Sequence, residues 1–200
     1  MKFLVIGSGA REHIIAKKLK ECGARVYSII TNKNPGLISL SEKMYFVNNY
    51  LTSKEEVIDF SSANDIECVV IGPEDPLAQW YVDEFKNKGI PVVGPTKSLA
   101  RIETSKGFTR DLLHQYEIHA SPKYKRFKDL IGVEDYIDFL SNQYVIKFDG
   151  LMGGKGVKVS GEHLENLNDA LGYCKEIVSN NGTFVIEEKL IGEEFSLMSF

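Results

Sequence analysis

Disulfide and zinc chemistry have little to draw on in this sequence. Its 200 residues include three cysteines, Cys22, Cys68 and Cys174, an odd number with no pair at CxxC spacing. Such usage excludes a disulfide framework and a zinc ribbon, and it fits small thiols in a reducing compartment. Histidine is as sparse. His13, His114, His119 and His163 are scattered, and no third ligand stands beside the pair at 114 and 119. Cationic excess is missing too: lysine and arginine total 24 against 28 aspartate and glutamate, a formal net charge of −4. A general nucleic-acid coat needs clustered surplus cation, so that class is set aside. There is no long hydrophobic run. The opening stretch at residues 3–6 meets Gly7 at once, too short for a signal peptide or a membrane span. Repeats and low-complexity segments are absent as well. The expected location is the cytoplasm, and the expected partners are small molecules rather than nucleic acid or membrane.

What is present is a globular balance of 43% hydrophobic and 26% charged residues. A chain of this length buries roughly 70% of its unfolded surface and needs no covalent staples. The first half alternates short apolar runs with helical periods. Strands are predicted at residues 3–6, 26–30, 44–47, 68–71 and 91–93, with helices at about 10–22, 53–64 and 77–88. Gly23 and Gly89 supply helix stops. Ser53, with Glu56 three residues on, has the spacing of a capping box. The alternation predicts an open, mostly parallel sheet with right-handed crossovers, in a first domain of about residues 1–95. Its ligand crevice would lie beyond the carboxyl ends of the strands, facing loops 7–12, 31–36 and 72–76.

After residue 95 the texture changes. Two helices are predicted over 96–116, then a strand at 123–127, a helix at 129–140 and a strand at 144–148. A glycine-dense loop follows, with a strand at 157–160 returning antiparallel to 144–148. A helix at 164–178 and a strand at 183–190 complete the pattern. The apolar run at 195–200 reads as a strand without its partner, so a longer polypeptide or a partner strand supplied from elsewhere is expected.

Three stretches carry chemistry. Gly7-Ser8-Gly9-Ala10-Arg11-Glu12 follows a strand and opens a helix, where free backbone N–H groups and a positive helix end suit an anion. It approaches the dinucleotide fingerprint. However, Glu12 stands where the third glycine belongs, and Ile30-Thr31-Asn32 lacks the acid expected after the second strand. A plain turn is the alternative, although Arg11 and Glu12 beside it favour a polar ligand. Gly72-Pro73-Glu74-Asp75-Pro76-Leu77 sets two carboxylates at a helix start. Helix-dipole complementation accounts for Asp75, while Glu74 also suits a substrate hydroxyl or amine. The sharpest signal is Asp149-Gly150-Leu151-Met152-Gly153-Gly154-Lys155-Gly156. Glycines let backbone amides approach phosphate oxygens, and Lys147 and Lys155 add point charges. No GK[ST] opens a helix here, so this is not a Walker loop; a flexible hairpin tip is the alternative. The strand at 183–190 ends in acids and is followed by Glu193 and Glu194. It is either a charged surface strand or an edge backbone that pairs with adenine.

Taken in order, five segments resemble one family: Gly-Ser-Gly-Ala-Arg-Glu-His at 7–13, Gly-Pro-Glu-Asp-Pro-Leu at 72–77, Thr-Ser-Lys-Gly-Phe-Thr-Arg-Asp at 104–111, Lys-Phe-Asp-Gly-Leu-Met-Gly-Gly-Lys-Gly-Val at 147–157 and Ile-Glu-Glu-Lys-Leu-Ile-Gly-Glu-Glu at 186–194. The chain resembles the phosphoribosylamine–glycine ligases, or glycinamide ribonucleotide synthetases, a purine-biosynthesis branch of the ATP-grasp superfamily. The resemblance runs over essentially all 200 residues. It implies an open α/β substrate domain over 1–95, then the first part of an ATP-grasp α+β domain over 96–200 with a small lobe at about 120–190. The implied reaction joins glycine to 5-phosphoribosylamine through a glycyl phosphate, giving glycinamide ribonucleotide, ADP and phosphate.

By the same resemblance, Lys106 and Lys147 contact ATP phosphates, and Gly150, Gly153, Gly154, Lys155 and Gly156 close over them. The backbone from Glu187 through Glu188 to Leu190 reads adenine, and Glu194 holds the ribose. Asp149 is the implied catalytic residue near the reacting centre. Gly9, Arg11, Glu12, Pro35, Gly36 and Glu74 face the phosphoribosylamine. Magnesium is implied, with its ligands outside this chain in a missing C-terminal part, because family members run to about twice this length. The isolated 200 residues are therefore expected to be inactive. Phe148 and Met152 stand where the family usually has alanines. Rival readings are another ATP-grasp ligase or carboxylase, a nucleotide-binding module without chemistry, and a nicotinamide enzyme. Arg11-Glu12-His13 and the 72–77 segment argue against the first, and Glu12 against the last.

Overall fold

Five short apolar runs pair side by side in the computed structural model, which describes residues 1–197. β1 (Lys2–Ile6), β2 (Arg25–Ile30), β3 (Lys43–Phe46), β4 (Cys68–Ile71) and β5 (Val92–Val93) form one sheet in the order β3-β2-β1-β4-β5. Every pairing in it is parallel. Both faces of the inner strands β1 and β2 are covered, which is why their runs are continuous rather than alternating. Leu4, Ile6, Ile29 and Val69 pack with Val57, Tyr81 and Phe85 in one cluster, and Val5, Val26 and Ile30 pack with Ala16 and Leu37 in another.

The intervening helices are α1 (Ala10–Glu21), α2 (Pro35–Leu40), α3 (Lys54–Ala63), α4 (Glu74–Ala78) and α5 (Tyr81–Asn87). Glu12, only 4% exposed, turns back from the third position of α1 to accept the Gly9 N–H at 2.6 Å. Three details differ from expectation. α2 was not foreseen: Asn34 caps it by accepting from Gly36 N and Leu37 N, with Pro35 at its start. The Ser53 capping box does not form, because Ser53 leaves the extended conformation that a cap requires. Glu56 instead accepts from the Tyr45 hydroxyl at 3.1 Å. The single helix predicted at 77–88 is broken. α4 starts earlier, and Trp80 in a left-handed conformation (φ 68°) separates it from α5. Tyr81, Val82 and Phe85 of α5 are fully buried, and the Tyr81 hydroxyl donates to the Tyr50 carbonyl at 2.9 Å.

The chain divides into two compact units after Arg101. The start of α6 (Lys97–Thr104) is tied to the first unit. Lys97 N donates to Asp83 Oδ2 at 2.8 Å, and the Lys97 ammonium lies 3.7 Å over the Trp80 ring.

The second unit contains α7 (Lys106–Gln115), β6 (Tyr124–Phe127), α8 (Val133–Phe139), β7 (Tyr144–Phe148), β8 (Val157–Val159), α9 (Leu167–Ser179) and β9 (Phe184–Glu188). Its strands pair antiparallel in the order β6-β9-β7-β8. Directly opposed residues share a face. Phe127, Phe184, Ile186 and Ile146 therefore fall on one face, packed with Val133, Ile137, Ala170 and Cys174 of α8 and α9. Tyr124, Arg126, Val185, Glu187, Val145, Lys147, Val157 and Val159 fall on the other. α8 begins later than predicted, at Val133, because Gly132 (φ 73°) and an Asp129 turn onto Ile131 N occupy the residues before it. Residues 195–197 take no regular structure, and the rest of the strand expected at 195–200 lies outside the described residues. Among the described residues, no helix is long and apolar enough to cross a membrane.

The Glu12 carboxyl group occupies the space between the ends of β1 and β4. A Cβ placed on Gly72 would lie 1.9 Å from Glu12 Oε1, and one on Gly7 2.5 Å from Glu12 Cγ. The variant Gly72→Ala is therefore expected to destabilise the first unit by about 1–3 kcal/mol through overpacking. Urea denaturation checks this as a lowered midpoint; an unchanged midpoint would mean that the Glu12 side chain gives way freely.

Candidate functional site

In the first unit the strand order reverses between β1 and β4, so the loops after those strands border a crevice at the carboxyl end of the sheet. Ser8 Oγ accepts from Thr31 N at 2.8 Å and Asn32 N at 3.2 Å. Asn34 Nδ2 donates to the carbonyls of Ser8 and Gly9 at 3.0 and 3.2 Å. Arg11 Nη1 donates to the Gly72 carbonyl at 2.6 Å, and its Nη2 lies 3.8 Å from Glu74 Oε1. Of the residues predicted for substrate, Arg11 and Glu74 thus come together as an exposed pair. Gly9 caps α1 and Pro35 and Gly36 open α2 at the same end of the sheet, and Glu12 is turned inward as the brace of the turn.

In the second unit α7 lies over the polar face of the sheet. Ser105 caps it by accepting from Phe108 N at 3.1 Å. Lys106 and Arg110, one helical turn apart, share a side of the helix. Lys106 Nζ donates to the Gly150 carbonyl at 2.9 Å. Arg110 grips Glu187 with two hydrogen bonds, Nε to Oε1 at 2.8 Å and Nη2 to Oε2 at 3.0 Å. Lys147 Nζ donates to the same Glu187 Oε2 at 2.7 Å. The Glu187 side chain is 2% exposed, against 20% for Arg110 and 26% for Lys147. Burial alone would push the Glu187 carboxyl up, but hydrogen bonds and charge from Arg110 and Lys147 outweigh it and hold the group below its ordinary value. One carboxylate facing two cations leaves one positive charge over.

Asp149, the expected catalytic residue, is also buried. It accepts from Ser105 Oγ at 3.2 Å and Gly107 N at 3.1 Å, with the Arg126 guanidinium 3.6 Å away. Its carboxylate fastens the start of α7 to the end of β7. Asp111 adds a further strap, accepting from the Tyr124 hydroxyl and from Arg126.

The glycine-dense loop leaves the end of β7 beside this network. Phe148 N donates to the Gly156 carbonyl at 2.8 Å and closes the loop. A Cβ on Gly150 would approach the Phe148 ring to 2.5 Å, and one on Gly156 would meet Phe148 Cβ at 3.0 Å. The bulky departure at 148 thus packs both ends of the loop. Gly153 and Gly154 take positive φ (53° and 79°) with open space around them, and Lys155 is exposed. Val145, Lys147, Val157 and Val159 form a half-buried floor beside the loop. At the end of β9, Glu188 Oε1 accepts from Lys123 N at 2.9 Å, and beyond it Leu190 and Glu194 are exposed.

Residues 1–103 match the family described as phosphoribosylglycinamide synthetase, N domain, and residues 104–200 match the ATP-grasp (A) domain of the same family. The chain belongs to the phosphoribosylglycinamide synthetase family. Among curated relatives, the phosphoribosylamine–glycine ligase of Methanosphaera stadtmanae is 47% identical over 204 residues, and that of Methanopyrus kandleri is 41% identical over 209. Each alignment covers 100% of this chain and 46% of the relative, so the chain spans about half the length of the curated relatives it matches. The crystal structure of the phosphoribosylamine–glycine ligase of Thermotoga maritima superposes with a TM-score of 0.72 at 26% identity, over 96% of this chain and 45% of that one. N5-carboxyaminoimidazole synthetase of Staphylococcus aureus, solved with ADP, reaches 0.74 at 14% identity over 94% of this chain and 47% of its own, a likeness of fold alone. The family resemblance expected from the five motifs is therefore borne out, as is the fold: an open parallel sheet followed by the start of an ATP-grasp domain.

For this member of the phosphoribosylglycinamide synthetase family, Arg110 is the residue that sequence reasoning passed over. The usable signal was its spacing of four from Lys106, which sets two cations on one side of α7. A folded-state value held low at Glu187 has a consequence for acid stability. The contribution is fully present above the ordinary carboxylate value of 4.5 and is lost as pH falls through the lower folded value. The variant Glu187→Gln is expected to be less stable than the parent at pH 7, with the gap narrowing below pH 4.5. Urea midpoints across that range check this, and a gap that stays constant with pH would contradict the ion-pair account.

Proposed function

We propose that this chain is the N-terminal part of an ATP-dependent ligase that joins glycine to 5-phosphoribosylamine, releasing ADP and phosphate. The observation that carries the reading is the Arg110–Glu187–Lys147 cluster beside the glycine loop. Nucleotide phosphates are anionic, and so is the carboxylate that must be activated. A site for both has to relieve their repulsion with cations and backbone N–H groups. The net positive charge at Lys147, the carbonyl-bound Lys106 and the open backbone at Gly153 and Gly154 fit that requirement. The half-buried valine floor suits a flat apolar group such as a purine base.

ATP supplies the phosphoryl group that activates the glycine carboxylate. Lys147 and Lys106 would bind and orient phosphate oxygens, and the loop at 150–156 would exclude water from them. Asp149, tied into the start of α7, would hold Lys106 in place rather than meet substrate. The backbone at 188–190 would receive adenine, with Glu194 for the ribose. In the first unit, Arg11 and Glu74 would hold the phosphoribosylamine. This class of reaction also needs a divalent cation on the phosphates. Among the described residues no group of three or more His, Cys, Asp or Glu could hold one. By the family resemblance, its ligands would lie in the part of the ligase that this chain does not span.

Two measurements test the reading. In the full-length ligase, Lys147→Ala is expected to weaken ATP binding by about 1.5–3 kcal/mol, the range of a charged hydrogen bond; calorimetry giving parental affinity would remove Lys147 from the site. In a coupled ADP-release assay with glycine and fresh phosphoribosylamine, the full-length protein is expected to turn over and the 200-residue segment is not. Turnover by the segment within about tenfold of the full-length protein would place the metal ligands inside these residues after all.

A further inference from the structure

Arg110 contacts the same carboxylate that Lys147 contacts. We propose that Arg110 is a positioning residue that neutralises Glu187 and so leaves the charge of Lys147 available to an anionic phosphate. The inference rests on the nucleotide-binding reading above.

The geometry gives Arg110 the larger share of Glu187. Its planar guanidinium donates to both carboxylate oxygens, at 2.8 and 3.0 Å, while Lys147 reaches only Oε2. Glu187 is 2% exposed, so water and salt screen it little, and its charge must be met by protein groups. With Arg110 present, the carboxylate is compensated before Lys147 is counted. Without Arg110, Lys147 becomes the sole counter-charge of a buried anion, and a phosphate arriving at Lys147 meets a neutral pair. Arg110 is not drawn off by the nearest other acid on its helix. Asp111 is occupied by the Tyr124 hydroxyl and by Arg126. Lys106 and Arg110 thus act from the same side of α7 at different depths, one on the loop carbonyl and one on the buried carboxylate.

A purely structural role, fastening α7 to the sheet, makes a different forecast. The two are separated by removing the carboxylate as well as the guanidinium. ATP affinity of the full-length ligase is measured by calorimetry for the parent, Arg110→Met, Arg110→Lys and the double variant Arg110→Met with Glu187→Gln. The expected result is a weakening of about tenfold to a hundredfold in Arg110→Met, with at least about tenfold recovered in the double variant and partial recovery in Arg110→Lys. Weakening by less than about tenfold in Arg110→Met, or a double variant as weak as the single one, would overturn the role. Should Arg110→Met fail to fold, the double variant, which removes the buried carboxylate together with its guanidinium partner, decides alone. Binding within about tenfold of the parent supports the proposal, and weaker binding overturns it. A parent that does not bind ATP, or a Lys147→Ala variant that binds it as the parent does, defeats the proposed function and this role with it. Failure confined to the Arg110 series defeats only the role.

Discussion

Glu187 is an anion placed where an apolar side chain would ordinarily sit, in the second strand from one edge of a four-stranded sheet, and the second unit is arranged around the need to satisfy it. Burying a carboxylate is costly unless it is paired and hydrogen-bonded. The pairing here comes from two directions, Arg110 on α7 and Lys147 on β7, so one charge fixes a helix and two strands in register with each other. The two faces of the sheet consequently differ in kind. α8 and α9 are held by apolar packing on one face, while α7 is held on the other by Arg110–Glu187, Asp111–Arg126 and the Asp149 contacts to Ser105 and Gly107. Polar fastening leaves cations and carbonyls at the surface next to the glycine loop, which apolar packing would not.

A second buried carboxylate organises the first unit at smaller scale. Glu12 holds the Gly9 N–H, and the glycines at 7 and 72 make room for its side chain. This explains why the segment looks like a dinucleotide turn and fails its third-glycine criterion. A glycine at that position ordinarily lets helix and strand approach closely. Here the side chain at position 12 fills the gap, and the close approach is moved to the neighbouring strand end at Gly72. The crevice keeps its exposed Arg11 and Glu74, and the turn is rigidified from beneath.

The parallel sheet was legible because strands buried on both faces leave continuous apolar runs, and residues 4–6, 26–30 and 68–71 are of that kind. The order of motifs carried the family. Local backbone choices were less legible. α2 escaped notice because six residues are too few for a helical period, although Asn34-Pro35 marks its start. The break at Trp80 could not be read, since a tryptophan with positive φ runs against every local preference and is imposed by the burial of Tyr81 and Phe85 beyond it. Lys147 was found as a cation beside glycines, but its partner Glu187 lies 40 residues further on and is joined to it only by the strand pairing. The same distance hid Arg110, 77 residues before Glu187. Sequence shows that such charges exist, and only the fold shows which of them meet.

The position of β1 bears on how the molecule is made. It is made before both of the strands that flank it and is the central strand of its sheet, with β2 on one side and β4 on the other. β2 is complete by residue 30, but β4 ends only at Ile71. At the usual pace of roughly 5–20 residues per second, one edge of a strand that is apolar from Phe3 to Ile6 waits several seconds for its partner during synthesis. Nascent chains of this kind are natural clients for factors that shield apolar segments at the tunnel exit, and slow codons between residues 30 and 71 would lengthen the wait.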